Sequence, residues 1–166
     1  MNIQLIEWNL DNIDDLIYLC NHADRTYLTT RMPYPYSKDD ALWYIDYIDK
    51  YDKDGYFRAI YIDNKIAGTI SIERKDDVSK IDSEIGYHLL KEYHGKGIMS
   101  KVVEEVVKLA FGSMDILRIT GEIYEPNIAS RRVLEKNGFV LEGVKKKAII
   151  KDNIIYNLCI YGKCKE

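Results

Sequence analysis

The chain has 166 residues, 46% of them apolar, and a formal charge of −3, which suits one compact domain over residues 1–166 with a single core. It contains no run of the roughly eighteen to twenty apolar residues a membrane helix needs, and Met1-Asn2-Ile3-Gln4 lacks the basic-then-apolar pattern of an export signal. A cytoplasmic protein with no membrane partner is therefore expected. Interspersed charges argue against nucleic acid, which requires Lys and Arg in surplus on one face. Cys20, Cys159 and Cys164 stand at no metal or redox spacing, so reduced thiols in the core and no metal site are expected.

Residues 2–8 alternate like a strand, and Leu10, Ile13, Leu16, Ile17 and Cys20 then recur at helical spacing. Pro33 and Pro35 keep Met32-Pro33-Tyr34-Pro35-Tyr36 out of a helix. Ser37 can cap the helix that follows, whose first turn carries Asp39 and Asp40 and which offers Tyr44, Tyr47, Ile48 and Tyr51 on one face. Residues 56–62 and 65–73 flank Asp63-Asn64 as a hairpin, and residues 81–90 continue the sheet. Ile98, Val102, Val103, Val106, Val107 and Ala110 trace the inner face of another helix. Residues 116–124 form a strand, 128–136 a short helix stopped by Asn137-Gly138, and 140–150 with 154–162 a closing pair. The run Lys145-Lys146-Lys147 reads as a solvated strand end or turn. This alternation predicts a mixed α/β layer fold.

The most informative stretch runs from Ile85 to Ser100, a strand, a glycine loop and the start of a helix. Gly95 and Gly97 permit positive φ and close approach of main chain to a ligand, and free N–H groups at a helix start favour an anion. Two rival phosphate motifs fail. Gly95-Lys96 is followed by Gly97 with no glycine at position 90, so the nucleoside-triphosphate loop is absent; the dinucleotide fingerprint fails at Ser100. A tight turn whose glycines serve geometry alone is the plain alternative.

Ser83-Glu84-Ile85-Gly86-Tyr87 ahead of His94-Gly95-Lys96-Gly97-Ile98-Met99-Ser100 resembles the acetyl-CoA loop of the GNAT superfamily, usually Arg/Gln-x-x-Gly-x-Gly/Ala. His94 stands where Arg or Gln is usual and Met99 where a small residue is usual. A second block, from Asn127 through Ser130 to Asn137-Gly138-Phe139 and Glu142-Gly143, resembles the branch that acetylates N-termini of ribosomal proteins. The resemblance implies a mostly antiparallel sheet of six to seven strands with about four helices on both faces and a fourth strand splayed from the fifth. It implies acetyl-CoA as cosubstrate and an amine acceptor, a peptide N-terminus or a small amine, on a monomer or homodimer. A non-catalytic CoA-binding module is the alternative from another class.

Attack of a neutral amine on a thioester needs a base, a donor for the oxyanion and an acid for the departing sulfur. The resemblance supplies main-chain N–H groups near Leu89 and Leu90 as the donor, with Tyr87 and His88 as walls of the pantetheine channel. It sets His94, Gly95, Lys96, Gly97, Ile98, Met99 and Ser100 on the diphosphate, and Asn127 beside the cofactor. An α-amine is roughly one-sixth neutral at pH 7, so a carboxylate acting through water suffices as base. Glu84 is the candidate; a salt-bridged or solvent-facing strand residue is the alternative. Many members use a tyrosine as acid at the position held here by Leu134, so Ser130 takes the role, or else supports its helix's first turn. His22 is read as structural.

Overall fold

The structure, a computed structural model, describes residues 1–51 and 55–166. In chain order it contains β1 (Ile3–Glu7), α1 (Ile13–His22), α2 (Lys38–Tyr51), β2 (Gly55–Ile62), β3 (Lys65–Arg74), β4 (Ser83–Leu89), α3 (Ile98–Ser113), β5 (Arg118–Tyr124), α4 (Ile128–Lys136), β6 (Val140–Lys151) and β7 (Ile154–Cys164). The seven strands follow the order β1-β2-β3-β4-β5-β7-β6. Pairs β1–β2, β5–β7 and β6–β7 are antiparallel, whereas β4 and β5 run parallel through Glu84 opposite Thr120. The expected mixed α/β architecture is thus present. By internal contacts the chain forms two compact units, residues 1–71 with 87–96 and residues 72–86 with 97–166.

In the first unit, Trp8, Leu16, Leu19, Ile45, Ile48 and Phe57 form the buried cluster. Helix α2 begins with reciprocal bonds: the Asp40 N–H donates to Ser37 Oγ (3.2 Å) and the Ser37 N–H to Asp40 Oδ2 (2.8 Å). Two of the amides that a helix start leaves unpaired are satisfied in this way. The expected stripe is kept in part: Ile48 is buried and Tyr44 and Tyr47 pack, partly buried, against the cluster, whereas Tyr51 is exposed. Ala41, Ile45 and Ile48 are the buried positions of α2, while Trp43, Tyr47 and Tyr51 stack along its flank and Trp43 and Tyr51 are exposed. A helix buries one stripe at i, i+4, i+7, and the smaller side chains claimed it.

In the second unit, the predicted face of α3 is buried from Ile98 to Ala110, with Met99 added. Helix α4 ends as expected. Gly138 has φ +78°, its N–H reaches Glu135 O (3.1 Å), and the Phe139 N–H reaches Leu134 O (3.1 Å), the two bonds that close a Schellman motif. Strands β4 and β5 start two residues later than predicted: a local turn bond from the Asp82 N–H to the Ser79 carbonyl (2.8 Å) precedes β4, and the Ile81 carbonyl there accepts from the amides of Leu117 (2.8 Å) and Arg118 (3.1 Å) ahead of the regular pairing. The lysine run is neither a strand end nor a turn. It lies inside β6, where the pairing shifts register between Lys145 and Ile149 and Lys147 takes φ +51°, the signature of a bulge.

A polar cluster ties the starts of β4, β5 and β6 together. Lys75 Nζ donates to Asp82 Oδ2 (2.7 Å), Thr120 Oγ1 to Asp82 Oδ1 (2.8 Å) and Ser83 Oγ to the Arg118 carbonyl (3.0 Å). The Arg118 guanidinium grips Glu142 with both Nη atoms (2.7 and 2.6 Å). Charge-assisted, bidentate bonds of this kind fix geometry better than isolated surface pairs. They bracket Glu84.

Candidate functional site

In the first unit the strand carries Tyr87, His88 and Leu89 into the turn that holds Leu90 and His94. The Leu90 N–H donates to Ala67 O at 2.7 Å. That bond corrects the expectation of an unpaired amide at Leu90, because a donor already engaged by the neighbouring strand cannot serve an oxyanion. Gly68 is required beside it, since a Cβ there would collide with the His88 carbonyl. His88 Nε2 is buried without a hydrogen-bond partner among the described residues. Desolvation, with the Arg25 charge adding to it, lowers its pKa to about 4, so the ring is neutral at pH 7.

His94 opens the glycine loop with one ring nitrogen engaged. Its Nε2 lies 2.9 Å from the Leu89 carbonyl, so the ring braces the turn that precedes Gly95. Lys96 Nζ lies over the Tyr93 ring at 5.8 Å, within cation–π range. Arg25 binds the carbonyls of Cys20 (3.0 Å), Met32 (2.8 Å) and Pro33 (2.7 Å), and Asn21 bonds the amide and the carbonyl of Tyr36 (2.8 and 2.9 Å). The proline loop is thereby fastened to the end of α1. Its residues do not show this role from sequence, because only the folded chain brings Arg25 onto three carbonyls. Of the acids beside that loop, Asp40 caps α2 and Asp46 pairs with Lys50 at 2.9 Å. His22 packs on Tyr18 (4.0 Å) and bonds its carbonyl.

Gly95 and Gly97 have φ of +71° and +72°, and a Cβ on either would meet nothing within 4 Å. Their requirement is conformational: left-handed backbone costs an L-residue about 1–2 kcal/mol. Gly97 is the residue ahead of α3, whose first helical bond runs from the Lys101 N–H to the Gly97 carbonyl (3.3 Å). The amides of Ile98, Met99 and Ser100 precede the helical ladder, and no acidic side chain stands in that turn. Ile98 and Met99 are buried, so their side chains anchor the start of the helix.

Elsewhere in the second unit, Asn127 caps α4, its Oδ1 accepting from the Ser130 N–H at 3.3 Å. Glu84 is paired with Thr120 on the β4–β5 ladder, and Glu122 stands two residues beyond Thr120 on β5. Desolvation, and after it the charge of Glu122, raises the Glu84 pKa above the ordinary carboxylate range. The Glu122 neighbour was invisible in the sequence, because it depends on the register of a parallel pair. Leu134 is fully buried and sits where a Cβ on Gly121 would lie 2.6 Å from its Cδ1. Among the described residues no three His, Cys, Asp or Glu side chains are grouped to hold a metal ion.

The acetyltransferase (GNAT) domain family matches residues 2–140. Among curated proteins, the chain is 36% identical over 109 residues to the probable N-acetyltransferase YjcK of Bacillus subtilis (strain 168), covering 63% of this chain and 59% of that one. It is 28% identical over 104 residues to the ribosomal-protein-serine acetyltransferase of Escherichia coli (strain K12), covering 63% and 58%. The matches therefore span about three fifths of these relatives' length. Among solved structures, the microcin C7 self-immunity acetyltransferase MccE in complex with acetyl-CoA and AMP is similar with a TM-score of 0.81 at 25% identity, over 98% of this chain and 92% of that one.

Proposed function

The chain belongs to the GNAT acetyltransferase family, and on that premise we propose that it transfers an acetyl group from acetyl-CoA to a primary amine, foremost a protein N-terminal α-amine. The observation that carries this reading is the left-handed pair Gly95 and Gly97 leading into a 16-residue helix with an acid-free first turn. Backbone donors with no Cβ in front of them, at the positive end of a helix dipole, suit a diphosphate. The similarity to a ribosomal-protein-serine acetyltransferase supports the choice of acceptor. A cytoplasmic setting fits such an acceptor.

The reaction needs no covalent enzyme intermediate. The acceptor amine attacks the thioester carbonyl, the tetrahedral oxyanion is held by a backbone donor, and the thiolate departs with a proton. With the Leu90 amide bonded to Ala67, the donor is the N–H of Leu89. Glu84, whose pKa is raised toward neutrality by burial and by Glu122, takes the amine proton through a water. Ser130, in the first turn of α4 behind the Asn127 cap, supplies the proton to sulfur, and Asn127 offers its NH2 group to the pantetheine arm. Tyr87 and His88 wall that arm.

Complete burial of Leu134 favours a second reading, a CoA-binding module without turnover, because the position used elsewhere for a tyrosine acid is closed. Thiol release separates the two. Incubation with acetyl-CoA and peptides bearing N-terminal serine or alanine should liberate CoA, and Ser130→Ala should slow release with CoA affinity retained. CoA binding with no release across a wide panel of peptides and small amines would establish the second reading and overturn the first.

A further inference from the structure

Asn137 entered the sequence reading only as the stop of α4, yet its side chain reaches well beyond that helix. Its Nδ2 donates to the Ser100 carbonyl (3.1 Å), approaches Ser100 Oγ (3.4 Å) and donates back to Val133 O (2.9 Å). Ser100 is the third residue of α3. The backbone of Asn137 is itself fixed: its N–H bonds Leu134 O at 3.0 Å, and its carbonyl accepts from Lys163 Nζ of β7 at 2.6 Å. One amide thus joins the last turn of α4 to the first turn of α3.

We infer that Asn137 is a positioning residue for the diphosphate of coenzyme A, acting through Ser100 to hold the free amides of the α3 first turn in register. The inference rests on the acetyl-CoA reading above and deepens it. A helix start capped by Gly97 has no side-chain cap of its own, so nothing local to α3 stops its first turn from fraying. Ile98 and Met99 anchor that turn by burial alone, which resists translation but is non-directional. The Asn137 bonds supply direction. They approach Ser100 through its carbonyl and hydroxyl, leaving the Ser100 N–H to face an anion with those of Ile98 and Met99. The Lys163–Asn137–Ser100 chain therefore sets the orientation of a phosphate cradle from outside it.

A positioning role predicts a loss confined to the diphosphate. Asn137→Asp keeps the shape and replaces the donor with an acceptor; Asn137→Ala removes the side chain. CoA and pantetheine, which shares the thiol arm and lacks the diphosphate, are titrated against the unaltered protein and both variants, with thermal unfolding recorded alongside. The expected result is a roughly 10-fold rise in the dissociation constant for CoA in both variants, with pantetheine binding changed less than about twofold. Equal weakening of both ligands would mean a general structural role and overturn the inference, as would unchanged affinity for both. If one variant fails to fold, the other decides by the same ratio. Failure of the unaltered protein to bind CoA would instead remove the acetyl-CoA reading and this inference with it.

Discussion

Closure of the Leu134 position against β5 can be tested by a double-mutant cycle. Replacing Gly121 with alanine places a methyl 2.6 Å from Leu134 Cδ1 and 3.5 Å from Ile85 Cγ2. Carbon atoms sit comfortably at about 3.5–4.0 Å, so the first contact is about 1 Å too short, and Leu134 is fully buried with no open direction. Overpacking of that kind costs about 1–3 kcal/mol, offset by about 0.4–1 kcal/mol from the stiffer unfolded chain, for a net loss of about 1–2 kcal/mol. Leu134→Ala alone opens a cavity and costs about 2–5 kcal/mol. In the double variant the new methyl enters the space the leucine vacates, so the combined loss should fall short of the sum by about 1–2 kcal/mol. Urea unfolding of the four proteins measures this from midpoints at a common slope. Additivity within about 0.5 kcal/mol would refute the contact. The same reasoning predicts that Leu134→Tyr destabilises the protein and fails to raise thiol release, because a phenol cannot enter the space.

Further outcomes follow from the site and from the Arg118–Glu142 pair. Glu84→Gln should lower kcat by about 10²–10⁴ with CoA affinity unchanged, and Glu122→Gln should move the acid limb of kcat/KM to lower pH, since the Glu122 charge helps raise the Glu84 pKa; pH–rate profiles check both. A carboxylate whose folded pKa is raised binds protons more tightly in the native state, so stability falls as pH rises from about 4.3 through the folded value, and Glu84→Gln should flatten that slope in pH-dependent unfolding. Glu142 is the opposite case: the Arg118 bonds lower its pKa, so its contribution is present above about 4.3 and lost as pH falls through the folded value. Arg118→Met should abolish that acid dependence, by less than about 1 kcal/mol because the Glu142 side chain is 41% exposed. Gly97→Ala meets no atom within 4 Å, so its stability loss should stay near the left-handed backbone cost of about 1–2 kcal/mol, while CoA titration should show weakened binding.

The sequence by itself determined the features that rest on local chemistry. Alternation and helical spacing located the strands and helices, because burial of one face imposes those periods on the side chains. The hairpin at Asp63-Asn64 was legible because both residues tolerate positive φ, and φ is +49° and +64° there. Gly95 and Gly97 stood out since glycine adopts their left-handed backbone without the Cβ penalty, and Gly138 marked the end of α4 for the same reason. Tertiary structure alone decided what depends on distant partners. Ala67 consumed the Leu90 amide, the parallel register set Glu122 beside Glu84, and folding brought Asn137 onto Ser100 and Arg25 onto the proline loop. Asn137 and Ser100, for example, lie 37 residues apart along the chain. A hydrogen bond or charge–charge contact acts over a few ångströms in space and leaves no periodic trace in sequence, whereas hydrophobic burial and backbone φ leave one at every turn.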